Sequence, residues 1–146
     1  MAVQNYARLF TVDEANALVP ALRALMEHIS DKLDSLRKKS EEIIRAEGLS
    51  PKSPDLTRRL QENPEIAALI REVHEMVEEI HSHGCLCKGL EQGLVDFPCL
   101  LGDEIVFLCW RYGEGGVSHW HRIEDGFAGR KPLLEQDGGG GNLVYH

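Results

Sequence analysis

The sequence predicts an α+β chain in which a long antiparallel helical hairpin packs on one face of a three- to four-stranded antiparallel β-meander. Two observations predict it. The texture changes near residue 84: residues 1–83 are rich in Leu, Ala, Glu and Arg and hold only Gly48, whereas the rest holds 13 of the 14 glycines and both tryptophans. The apolar period changes at the same place, from alternate steps of three and four to steps of two. One domain is expected over 1–146: a hairpin in 1–83 with a polar linker at about 47–63, a meander in 84–133, and a flexible Gly-rich tail in 134–146.

Thr11-Val12-Asp13-Glu14 opens the first helix as a capping box, and Phe10 before it is placed to staple onto Ala15. Apolar positions follow at Leu18, Leu22, Leu25, Ile29, Leu33, Leu36 and Ile43, with Ser40 in the same row. This is a coiled-coil-like seam with a stutter-like drift after Ile29. Pro20 predicts a kink or a short leading turn. The charged residues between the seam positions, such as Arg23, Glu27, Asp31 and Arg37, read as a solvated face. Gly48 and the Ser50-Pro51 and Ser53-Pro54 steps break the helix. A short helix is expected over 55–61. Asn63 caps a second long helix with Pro64 at its first position, Ile66, Leu69, Ile70, Val73, Met76, Val77 and Ile80 give its apolar face, and Gly84 ends it.

Beyond Cys85, strands are predicted at Gly93–Cys99, Glu104–Arg111 and Val117–Arg122, with Lys88–Glu91 a candidate edge strand. A two-residue turn at Leu101-Gly102 sets Asp96 opposite Phe107. A five-residue loop at Tyr112–Gly116 sets Cys109 opposite His119 and Phe107 opposite His121. Alternation then gives one apolar face of Val95, Phe97, Cys99, Val106, Leu108, Trp110 and Trp120. The other face carries Asp96, Cys109, Arg111, His119 and His121 among Leu94, Ile105 and Phe107. A slip of one residue in the second loop sends both histidines to the opposite face.

The formal charge is −8, divided evenly between the two halves. No cluster of cations stands out, which argues against nucleic acid and against an anionic membrane surface as partner. The longest apolar run, Ile105–Trp110, is far shorter than the roughly twenty residues of a membrane span. The first residues show no basic stretch followed by an apolar one, so a cytoplasmic location is expected. The cysteines, Cys85, Cys87, Cys99 and Cys109, are then expected as reduced thiols in or near a core. The first helix carries its apolar seam to Ile43 and Ile44, farther than a shorter second helix can cover. That predicts a homodimer or higher homo-oligomer, and the hairpin also suits a protein partner.

Chemistry concentrates on the polar sheet face. Asp96, His119 and His121 form a two-imidazole, one-carboxylate set suited to Zn or Fe(II). Asp96 is expected to be ionised, held so by the Arg111 guanidinium or by a metal. His81, His83, Cys85 and Cys87 form a second dense group of soft ligands, continued up the helix by His74 and Glu78. Cys109 beside His119 would be the nucleophile and base of a covalent mechanism, but a mid-strand cysteine is a poor position for one. No phosphate-binding loop, nucleophile elbow or dinucleotide fingerprint is present.

Several segments resemble a bacterial family catalogued as domain of unknown function 2203: Leu9–Asn16, Gly93–Pro98, Leu108–Arg111 with Glu114, and Trp120-His121 followed by Gly126–Arg130. The resemblance runs from about Leu9 to Leu133. It implies no particular activity. It draws attention to Asp96, Cys109, Trp110, Arg111, Glu114, His121 and Arg130, leaves His83, Cys85, Cys87 and His119 outside the pattern, and so favours a site around Asp96, Glu114 and His121. Asp96, Cys109, Arg111, Glu114 and Arg130 are accordingly the expected ligand-binding residues. Two functions are expected: an oligomeric binding or scaffold module, and, as the alternative, a metal or small-ligand site near Asp96 and His121. Whether the chain is an enzyme is left open.

Overall fold

A computed structural model of the chain describes residues 6–133; the expected tail lies outside the described residues. The class is α+β. Helices α1 (Val12–Glu47), α2 (Leu56–Gln61) and α3 (Pro64–Ser82) precede strands β1 (Leu86–Gly89), β2 (Leu94–Leu101), β3 (Glu104–Arg111), β4 (His119–Arg122) and β5 (Lys131–Pro132). The chain divides into two compact units, one comprising Glu27–Glu79 and the other the described residues through Met26 with those from Ile80 onward.

The helical unit is an antiparallel pair, with Lys32 bonded to Glu72 at 2.7 Å and Lys39 to Glu65 at 2.5 Å. Asn63 Oδ1 accepts from the Glu65 and Ile66 amides, satisfying two free donors at the start of α3. The helix α1 is continuous through Pro20, so the expected leading turn does not form. Its inner row is Ala15, Val19, Leu22, Met26, Ile29, Leu33, Leu36, Ser40 and Ile43, an unbroken alternation of four and three. Leu18 and Leu25 lie half-buried beside that row. The stutter expected after Ile29 was an artefact of choosing leucines over Val19 and Met26.

In the sheet-bearing unit the five strands form an antiparallel meander in sequence order. The extra strand, β5, is only two residues long and ends in proline, too short to show an alternation. The N-terminal segment locks onto the sheet: the Phe10 amide donates to the Pro98 carbonyl at 2.7 Å, and its ring meets Phe97 edge-on at 5.2 Å. The capping box forms in both directions between Thr11 and Glu14. Val95, Phe97, Cys99, Val106, Leu108, Trp110 and Trp120 are all buried, as alternation predicts. Fully burying a large apolar side chain contributes about 1.5–3 kcal/mol, so this face anchors the unit.

The turn between β2 and β3 is Gly102-Asp103, with Leu101 paired to Glu104. Gly102 takes φ 61°, a conformation that strains any residue with a Cβ. The expected turn at Leu101-Gly102 was one residue early, and that displaces every β2–β3 pair by two positions. Parity is conserved, so the faces are as expected, but the pairs change: Asp96 lies opposite Cys109, not Phe107. The β3–β4 register is the expected one, with Cys109 opposite His119 and Phe107 opposite His121. The strand β4 starts two residues later than expected, because the Val117 amide donates to Asn16 Oδ1 at 2.8 Å and leaves the ladder.

Candidate metal centre

The centre of the polar sheet face is buried, although Arg111 on the same face is exposed. Asp96, Cys109 and His121 are 4%, 1% and 2% exposed, and Phe107 is buried among them. Asp96 and Cys109 are direct cross-strand neighbours, and His121 sits on β4 diagonal to Cys109. One ligand atom from each of the three lies within 4.8 Å of the other two. A tetrahedral ion with ordinary zinc bond lengths sets its donor atoms about 3.3–3.7 Å apart, so small side-chain rotations suffice to close the set. The three line a cavity of about 200 Å³ with Lys88, Leu94, Phe107, Ile123, Gly126 and Phe127.

The hydrogen bonding of His121 decides what this cluster can do. Its Nδ1 is 2.8 Å from the Arg122 carbonyl oxygen. A carbonyl only accepts, so Nδ1 carries the proton and donates. In the neutral ring Nε2 is then a bare lone pair, aimed at both oxygens of Asp96 at 3.3 Å. Lone pair faces carboxylate in a buried place, and the arrangement is unfavourable unless a cation or a proton lies between them. A backbone carbonyl that fixes the histidine tautomer through the far nitrogen is also what metal-ligating histidines use.

Burial pushes the Asp96 carboxyl above its ordinary range, against the pull of His121, Lys88 and a hydrogen bond from Cys109. The Cys109 thiol is pushed up to about 12, first by burial and then by the Asp96 charge. Cys109 is therefore a thiol at neutral pH, which removes it as a free nucleophile beside His119. Arg111 is not the guanidinium beside Asp96: it is exposed, its charge 6.0 Å over the Phe127 ring. The partner of Asp96 is His121.

The other candidates go elsewhere. His119 does not join the cluster, because its Nδ1 accepts from Arg130 at 2.7 Å. Burial and the Arg130 charge lower its proton affinity. Arg130 also donates to Glu114 Oε2 at 2.5 Å, and Glu114 Oε1 accepts the Arg111 amide at 2.8 Å. The Glu114 carbonyl accepts from Trp110 Nε1 and from Arg23. Glu114 is thus placed in a clamp on the β3–β4 loop, apart from Asp96 and His121. Two further ties to the loop lie on α1: Asn16, and Arg23, which is not on a solvated face as expected but donates to the Glu114 and Gly115 carbonyls. Cys85 is buried and donates to the Ile80 carbonyl, Cys87 is half-buried on β1, His81 is exposed and His83 half-buried. Among the described residues these four do not come together as a metal-capable group. The four cysteines are free thiols.

Residues 8–133 match the family described as "Uncharacterized conserved protein (DUF2203)", so the chain belongs to that family. No curated protein and no solved structure matches the chain. No described helix is long and apolar enough to cross a membrane.

Proposed function

We propose that this member of the DUF2203 family binds a divalent transition metal through Asp96, Cys109 and His121. The observation that supports the reading is the convergence of His121 Nε2, the Asp96 carboxyl and the Cys109 thiol, all three buried, with His121 Nδ1 tied to the Arg122 carbonyl. The donor set narrows the metal. Two imidazoles and a carboxylate suit Fe(II), but with sulfur in place of His119 the set tilts to zinc. Three protein ligands leave a fourth position open toward the cavity, as in zinc sites that take an exchangeable ligand. An imidazolium–carboxylate pair also satisfies the geometry, at the expense of two buried charges. Elemental analysis of untagged protein separates the two: the metal reading expects close to one zinc per chain in the wild type and none in His121→Ala or Asp96→Asn. Metal-free wild type that takes up no zinc on addition overturns it.

The helical unit favours a second, compatible role as an oligomeric binding module. Within Glu27–Glu79 only Ile29, Ile43, Ile66 and Val73 are buried, while Leu33, Leu36, Leu69, Met76 and Val77 stay half-exposed and Ile70 is 37% exposed. A second copy of this chain is the occupant proposed for that apolar surface. Light scattering at micromolar concentration tests it, and a monomeric mass rules it out.

A further inference from the structure

The cavity beside Asp96 carries a charge that the metal reading does not use. Lys88, on edge strand β1, lines the cavity with its amine 4.9 Å over the Phe107 ring. Among the described residues no carboxylate lies within salt-bridge distance of that amine. A divalent ion held by an aspartate, a thiolate and a neutral imidazole has no net charge, so Lys88 leaves the metal-loaded cavity at +1. The remaining walls, Leu94, Phe107, Ile123 and Phe127, are apolar. A volume of about 200 Å³ matches the liquid volume of roughly six or seven waters. The ligand that complements this space carries one negative charge at one end and a short apolar body behind it.

We propose that the cavity binds a short-chain monocarboxylate, its carboxylate at the open metal position and against Lys88, its chain on Phe107, Leu94, Ile123 and Phe127. The inference rests on the metal reading above. The anion supplies the fourth donor, and neither binding nor release changes a covalent bond. A point charge on a flexible stem tolerates several carboxylate orientations, so selectivity comes from the apolar walls and the cavity length.

The test uses the zinc-loaded full chain, with butyrate as probe, butyramide as its uncharged counterpart and octanoate as an oversized one, read by calorimetry. Zinc content is measured on the same samples. Lys88 is exposed on an edge strand, so Lys88→Met is expected to fold and to hold zinc as the wild type does. The wild type should bind butyrate, with butyramide and octanoate at least tenfold weaker, and Lys88→Met should lose at least tenfold in butyrate affinity. Butyrate affinity unchanged in zinc-loaded Lys88→Met, or equal affinity for butyramide, overturns the carboxylate inference and leaves the metal site standing. Absence of zinc uptake by the wild type overturns both.

Discussion

Two polar clusters sit at neighbouring positions of one sheet, and their hydrogen bonding separates them. In the Glu114–Arg130–His119 cluster each group meets its complement: guanidinium donates to carboxylate and imidazole, and the carboxylate also takes a backbone amide. In the Asp96–Cys109–His121 cluster, more deeply buried, His121 Nε2 faces the Asp96 carboxyl with no fixed cation among the described residues between them. Each cluster joins a carboxylate to an imidazole; the third member is a guanidinium in one and a thiol in the other. A carboxylate and imidazole held by a fixed guanidinium have their partners in place; a buried pair without one has room for a cation that arrives later. Hence His119, tied to the Arg130 guanidinium, is structural, while His121, facing Asp96 and Cys109, is the candidate ligand.

The clamp gives the largest effect by which the contrast can be broken. Glu114→Ala strands the largely buried Arg130 guanidinium, and should cost about 2–3 kcal/mol of stability with zinc uptake per folded chain unchanged. Thermal denaturation with parallel zinc analysis checks this. Loss of uptake without loss of stability would move Glu114 into the site.

The second effect is the pH dependence of metal binding. Cys109 holds its proton up to about pH 12 in the metal-free chain, so zinc must displace it. Zinc affinity should rise about tenfold per pH unit for that one proton between pH 6 and 8, and the slope should flatten in Cys109→Ser. A wild-type affinity that does not vary with pH over that range excludes thiolate ligation.

How much of this was legible follows from what each signal depends on. The capping box at Thr11 and the Asn63-Pro64 start could be read because each is local and completed within three residues. The sheet faces survived a wrong turn because parity is insensitive to a shift of two. The site is not so forgiving. The same shift put Asp96 opposite Cys109 and brought sulfur into the set, while His119, next in that row, is held by Arg130 instead. The helix seam is ambiguous in phase because Leu18 and Leu25 adjoin Val19 and Met26 and either set keeps a three-and-four spacing, although Val19 and Met26 are inside and Leu18 and Leu25 only half so. The tie from Asn16 to Val117 joins residues far apart in the chain, and no periodicity announces it.

A smaller effect sharpens the contrast by its sign. Burial raises the Asp96 carboxyl in the metal-free fold. A raised carboxyl contributes stability that is present below its ordinary value and lost as pH rises through the folded one. At neutral pH, therefore, Asp96 weakens the metal-free protein. An asparagine there can donate its amide to the bare Nε2 of His121. Asp96→Asn should raise the stability of the metal-free chain at pH 7 by about 1 kcal/mol, and the gain should vanish toward pH 4 as the wild-type carboxyl protonates. Denaturant unfolding at the two pH values measures it. A loss of stability at pH 7 identifies the pair as a structural ion pair.

Titration of the metal-free chain with Co(II), followed by absorption, tests the centre most directly, because thiolate ligation gives an intense sulfur-to-cobalt band and low coordination gives strong visible transitions. The wild type and His119→Ala should both develop these bands and saturate at one ion per chain. Cys109→Ser should lose the sulfur band, and His121→Ala should fail to bind. Equal spectra in the wild type and His121→Ala, or loss of the bands in His119→Ala alone, would contradict a centre built on Asp96, Cys109 and His121.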